Sequence, residues 1–375
     1  MTDLPSLSDA KRIIVKTGSA LIADQNGNPY TDWLGGLAKD ISKWRADGRD
    51  IILVTSGAIA LGKASLGHET LRRLDEKQAA AALGQPRLMA ALEAAFSPRG
   101  ITIAQALLTL EDTEHRRRWL NARATLETLL EAGIVPIINE NDTVATEEIR
   151  YGDNDRLAAR VAQMVSADVL VLLSDVDGLY TADPGKDADA KHIPVLKELG
   201  PEIDDMAGGA NPEAGVGSGG MATKIAAARI AQDAGCATVI ARGNHTAPLS
   251  ALETGARASW ILPSLSPSNA RKTWLKGHIH PEGTLTIDAG AIKALQSGAS
   301  LLPVGVASVA GPFERGAILG ILNAEGVLIA KGITAYSAVD IARIAGQKTD
   351  QVEALLGGEA RRPAIIHRDD LVLIG

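Results

Sequence analysis

The chain has 375 residues, of which 46% are hydrophobic and 22% charged. That is the make-up of a folded globular protein, long enough for two cores. A net charge of −7 argues against a general attraction to nucleic acid or anionic membrane. No stretch approaches the ~20 apolar residues of a membrane span. The acid-bearing N-terminus MTDLPSLSDAKR does not read as a secretory signal, so a cytoplasmic protein is expected.

Taken in chain order, apolar and β-branched runs alternate with helical stretches. The runs are Arg12–Val15, Asp50–Thr55, Gly133–Ile138, Asp168–Leu173 and Cys236–Ile240. Being apolar on both faces, they predict strands of a buried parallel sheet. Helices are expected over Trp33–Asp47, Thr113–Ala132 and Met221–Ala234, each closed by a following glycine. The result is an α/β domain over residues 1–265, helices sandwiching a mostly parallel sheet. The lone cysteine, Cys236, reads as a small buried hydrophobe, and it cannot form an internal disulfide.

The texture changes after residue 262. A Pro/Ser-rich segment, Leu262–Asn269, suits a boundary, and residues 266–276 are taken as a linker. From 277 to 375 the chain reads as a small, mainly β domain. Strands are expected at Gly283–Ile287, Val304–Val309, Ala317–Leu322 and Val327–Ala330, with helices at Ala289–Gln296 and Ser337–Ile344.

Five loops carry possible chemistry. The first, Val15-Lys16-Thr17-Gly18-Ser19, sets a cation beside turn amides, as a phosphate site requires, although a strand-end lysine is often merely solvated. The second, Thr55-Ser56-Gly57-Ala58, offers a hydroxyl and free amides at a helix start, or simply a cap. The third is a pair of polar loop clusters, Asn139-Glu140-Asn141-Asp142 and Gly152-Asp153-Asn154-Asp155, able to meet an amino group and a carboxylate. The fourth, Ser174-Asp175-Val176-Asp177-Gly178-Leu179-Tyr180, could hold a nucleotide. The fifth, Gly215 to Lys224, contains G-x-G-x-x-G. No strand immediately precedes it, so it is not a dinucleotide fingerprint, and no P-loop motif occurs. Its stripped amides, helix start and lysine still suit a polyphosphate.

Lys16 and Lys224 could therefore flank a transferring phosphoryl group. No histidine stands beside an obvious nucleophile. A carboxylate acceptor fits that absence, being ionised at pH 7 with a reference pKa of about 4.3 and needing no general base.

The motifs V-K-T-G-S, V-T-S-G-A-I, I-N-E-N-D, G-D-N-D, D-G-L-Y and G-G-M together resemble the amino-acid kinase family, and more narrowly its glutamate-phosphorylating branch. The C-terminal segment ending in Ala364–Asp370 resembles a PUA domain. The resemblance implies ATP-dependent phosphorylation of the L-glutamate side chain, opening proline biosynthesis. It implies Lys16 and Lys224 as catalytic cations on ATP phosphates, with Asp155 orienting them. Ser56, Asp142 and Asn154 would bind L-glutamate. Ser174, Asp175, Ser218, Gly219, Gly220, Met221, Ala222 and Thr223 would line the ATP pocket with Lys16 and Lys224. Mg²⁺ would ride mainly on the nucleotide phosphates, with no protein metal site. Proline feedback at the glutamate site and a homo-oligomer are further implications. Three positions depart from the family's usual residues: Ser218 and Ala222 stand where Thr and Ser are frequent, and Ser174 replaces a common Thr.

Two rivals remain. One is a related kinase with another acceptor, such as aspartate, N-acetylglutamate, carbamate or a nucleoside monophosphate. The other is an RNA-binding regulator with a silent kinase domain. From residue 281 onward eight Lys/Arg oppose ten Asp/Glu, a balance that argues against autonomous RNA binding. The run Arg116-Arg117-Arg118 lies among acids and reads as a solvated face.

Overall fold

The computed structural model describes residues 7–67, 70–145, 153–206, 220–263, 265–277, 281–356 and 363–374. The chain divides into two compact units, Met1–Pro267 and Ser268–Gly375. Residues 266–276, taken as a linker, are largely a helix, Pro267–Gly277.

Among the described residues, ten strands lie in the first unit: β1 (Arg12–Thr17), β2 (Asp50–Val54), β3 (Ile103–Leu108), β4 (Val135–Glu140), β5 (Val169–Ser174), β6 (Leu179–Tyr180), β7 (His192–Ile193), β8 (Val195–Leu196), β9 (Ala237–Arg242) and β10 (Ala258–Ile261). Eight of them form one sheet in the order β3-β4-β2-β1-β5-β9-β10-β8, and β6 pairs with β7. Every pairing in the large sheet is parallel except β9 with β10. The five expected runs all became strands of this sheet. The edge strands β3 and β8 and the antiparallel β10 were not expected.

Alternation of side chains sorts the core into two layers, because successive strand residues point to opposite faces. Ile13, Val15, Ile51, Leu53, Val169 and Val171 pack with Trp33, Leu37, Ile41 and Trp44 of the helix Thr31–Ala46, and with Leu88, Leu92 and Phe96 of the helix Leu74–Phe96. Ile14, Ile52, Val54, Leu170 and Leu172 face the other way. They meet Leu126 and Leu130 of Arg116–Glu131, Leu157 and Val161 of Asp153–Val165, and Ile225 and Ala228 of Met221–Asp233. Each fully buried Leu or Ile contributes about 1.5–3 kcal/mol, so both layers are needed to hold the sheet.

One helix expectation needs correction. The stretch Thr113–Ala132 is two helices, Leu110–Glu114 and Arg116–Glu131, broken at His115, which adopts an extended conformation. Thr109 caps the first, its hydroxyl accepting from Asp112 N–H at 3.1 Å. The helices Leu74–Phe96 and Asp153–Val165 were not foreseen. The second of these means that Asn154 and Asp155, read as loop residues, sit in a helix's first turn.

The second unit has a five-stranded sheet of β11 (Gly283–Ile287), β12 (Val306–Ala310), β13 (Ile318–Leu322), β14 (Leu328–Ile333) and β15 (Leu371–Leu373), ordered β12-β11-β13-β14-β15. Only β11 and β13 run parallel. Helices Ala289–Gln296, Ala338–Ile344 and Thr349–Leu355 accompany it. Its own core gathers Leu285, Ile287, Leu319, Ile321, Ile341, Ile344 and Ile365.

Candidate active site

Parallel strands present their carboxyl ends on one edge, and ligands of open α/β sheets bind where successive connections diverge to opposite sides. Here that point is beside β1, which has β2 on one flank and β5 on the other. Lys16 lies inside β1, in register with Val54 and Leu172. Ser56 follows β2, Asn139 and Glu140 end β4, and Ser174 ends β5.

Lys16 Nζ is 2.6 Å from Asp155 Oδ1, and Lys224 Nζ is 3.4 Å from Asp155 Oδ2. Thr223 Oγ donates to the same Oδ2 at 3.1 Å. All three charged groups are nearly out of solvent, with relative exposures of 7%, 0% and 4% for Lys16, Asp155 and Lys224. Burial pushes the Asp155 carboxyl up, but Lys16 and Lys224, with hydrogen bonds from Lys16 and Thr223, outweigh it. The carboxyl is held below the usual aspartate range. Two lysines from distant parts of the chain, one on a central strand and one in a helix's first turns, thus converge on one carboxylate. Asp155 is placed early in its own helix, where unsatisfied N–H groups and the helix dipole favour an anion.

One residue earlier, Asn154 Nδ2 donates to Ser56 Oγ at 3.0 Å and to Asn139 Oδ1 at 3.3 Å. Asp142, just past β4, is buried at 9% exposure. Ser56 enters its site through Gly57, whose φ of +100° only glycine adopts easily before the helix Ala58–Lys63. An amide-and-hydroxyl group therefore adjoins the lysine–aspartate group, because Asn154 and Asp155 are neighbours in sequence.

Among the expected nucleotide residues, Gly220 caps the helix Met221–Asp233, with Met221, Ala222 and Thr223 in its first turn. Thr223 is turned to Asp155 and to Gly220 O (2.8 Å). Ser174 Oγ donates to Asp175 Oδ1 at 2.8 Å, at the end of β5. Ser218 and Gly219 lie outside the described residues. Asn139 and Gln85 were not singled out by role from the sequence, yet Asn139 Nδ2 donates to Gln85 Oε1 at 2.8 Å. A polar residue inside an otherwise apolar strand end was the available signal for Asn139; Gln85 sits on the helix that was not foreseen. Cys236 is buried at 1% exposure, and burial raises its thiol pKa, so it is inert packing.

Residues 11–242 match the sequence profile of the amino acid kinase family. The chain belongs to that family. Residues 283–356 match the PUA domain, within the second unit. A protein of Paramagnetospirillum magneticum named Glutamate 5-kinase is 55% identical over 370 residues, covering 98% of this chain and 99% of the relative. One from Caulobacter vibrioides bearing the same name is 54% identical over 366 residues, 97% of each chain. A third, from Rhodospirillum rubrum, is 53% identical over 363 residues, 96% of each. Among the described residues, no helix is long and apolar enough to cross a membrane.

Proposed function

We propose that this chain transfers the terminal phosphoryl group of ATP to the side-chain carboxylate of L-glutamate, giving glutamate 5-phosphate and ADP, the entry step of proline biosynthesis. The observation that carries this reading is the convergence of Lys16 and Lys224 on Asp155, next to the Ser56–Asn154 pair. The full-length similarity to proteins named Glutamate 5-kinase supports glutamate as the acceptor.

An oxygen of the ionised acceptor carboxylate attacks the terminal phosphorus as the bond to the ADP oxygen breaks. No proton has to be removed from the nucleophile. What the chain supplies is alignment and charge. Lys16 meets the phosphates from the sheet edge and Lys224 from the helix, each offsetting negative charge on the transferring group's oxygens. Asp155 holds both ammonium groups in place before the nucleotide arrives. Ser56, Asn154 and Asp142 bind the amino acid, and the Asp142 carboxylate meets its ammonium. Ser174, Asp175 and residues 218–223 line the nucleotide site. Mg²⁺ rides mainly on the nucleotide phosphates. Proline, sharing an α-carboxylate and an amino group with glutamate, competes at the same site, and the chain works as a homo-oligomer in the cytoplasm.

The test is ADP release from ATP and Mg²⁺ across an acceptor panel of glutamate, aspartate, N-acetylglutamate, carbamate and a nucleoside monophosphate. Glutamate is expected to be preferred; a preference for any other acceptor overturns the assignment.

A further inference from the structure

We propose that Gln85 is a positioning residue for the amino-acid subsite, acting through Asn139 to fix which face Asn154 shows the substrate. The inference rests on the reading above, in which Asn154 and Ser56 meet the acceptor.

The backbone N–H of Glu140 can only donate, and it lies 2.9 Å from one side-chain atom of Asn139. That atom must be the oxygen, since an amide NH₂ there would oppose donor to donor. The same oxygen receives Asn154 Nδ2 at 3.3 Å. Asn139 Nδ2 is thereby turned the other way, where it needs an acceptor, and Gln85 Oε1 stands there at 2.8 Å. Donation runs from Asn154 to Asn139 and from Asn139 to Gln85, and the Asn154 NH₂ also donates to Ser56 Oγ.

The sense of that chain matters at its far end. Asn154 spends its NH₂ on Asn139 and Ser56, so its Oδ1 is turned away from both. This oxygen is buried and has no hydrogen-bond partner among the described residues. It is an acceptor suited to a substrate ammonium. If Asn154 were reversed, the same position would carry NH₂ and repel that group. Asn139 can fix Asn154 only while its own amide is fixed, and Gln85 supplies the acceptor opposite its NH₂.

The fold builds Gln85 into this place. Gly84, beside it, lets the helix Leu74–Phe96 press on the helix that starts just after Ser56: a Cβ on Gly84 would lie 1.7 Å from Ala58 O. One helix contact therefore sets both ends of the amide chain.

The experiment is a double-mutant cycle on the full-length protein, with KM for glutamate, KM for ATP and kcat measured for wild type, Gln85→Met, Asn139→Leu and the pair. Gln85→Met should raise KM for glutamate about tenfold, the scale of one buried polar group left unpaired. KM for ATP should stay within about twofold, because the lysine group is built from other elements. The pair should be no worse for glutamate than Asn139→Leu alone. Should Gln85→Met lose thermal protection by ATP, Gln85→Asn, which keeps the amide but withdraws it, repeats the comparison. An unchanged KM for glutamate, an equal rise in both KM values, or effects that multiply in the pair would each overturn the assignment of Gln85 alone. Absence of glutamate-dependent turnover in the wild type would overturn the function itself and this role with it.

Discussion

Asp155 is the residue on which the site turns. Replacing it by Asn leaves two buried ammonium groups without their shared carboxylate, and breaking such a buried pair costs about 3–5 kcal/mol. Asp155→Asn should therefore lower kcat by at least about 10²-fold and depress the thermal midpoint at pH 7. The pH dependence follows from the direction of its shift. The folded pKa lies below the unfolded value, so the stabilisation is fully present above the ordinary aspartate range and is lost as pH falls through the folded pKa. The stability gap between wild type and Asp155→Asn should stay constant from pH 7 to about 5 and close in stronger acid; a gap that closes near neutrality would contradict the charge assignment. Lys224→Ala should reduce kcat by about 10²–10³-fold, measured as glutamate-dependent ADP release, and unchanged activity would sink the two-lysine mechanism. In the sequence, Lys16 and Lys224 stand in motifs with phosphate-site chemistry, whereas Asp155 stands in a polar cluster read for an amino group and a carboxylate, and only the family resemblance tied it to the lysines. What no motif conveyed is that Thr223 serves Asp155, or that Asn139 is tied to Gln85. Those facts depend on side-chain direction across residues far apart in the chain.

At the scale of elements, the parallel strands were readable because burial on both faces leaves continuous apolar runs. The edge strand β3 escaped notice because it is half exposed and lacks such a run. The helix Asp153–Val165 was hidden by its polar start, although the buried Leu157, Ala158, Val161, Ala162 and Val165 recur at helical spacing. The helix Leu74–Phe96 contains Pro86 and is rich in alanine, so neither its breaker nor its weak pattern advertised a long helix. Its packing relies on glycine: a Cβ on Gly62 would lie 1.9 Å from Ala80 O, matching the close approach at Gly84. Gly84→Ala must push backbone apart, and a loss of about 1–3 kcal/mol is expected in urea unfolding. Wild-type stability in that variant would show that the two helices are not in contact through these residues.

The whole molecule joins two units with separate cores, and only the first carries the cluster of lysines, carboxylate and amides. The texture of the sequence changes after residue 262, and the two units divide at Pro267; the helical character of Pro267–Gly277 did not show, since its Pro- and Ser-rich lead-in reads as loop. The central claim is that the product is an acyl phosphate on the glutamate side chain. An acyl phosphate reacts with hydroxylamine to give a hydroxamate, which ordinary phosphate esters do not. Incubating the purified chain with ATP, Mg²⁺, L-glutamate and hydroxylamine should yield glutamate hydroxamate in proportion to ADP. ADP released without hydroxamate, or hydroxamate formed equally well in the absence of glutamate, would contradict it.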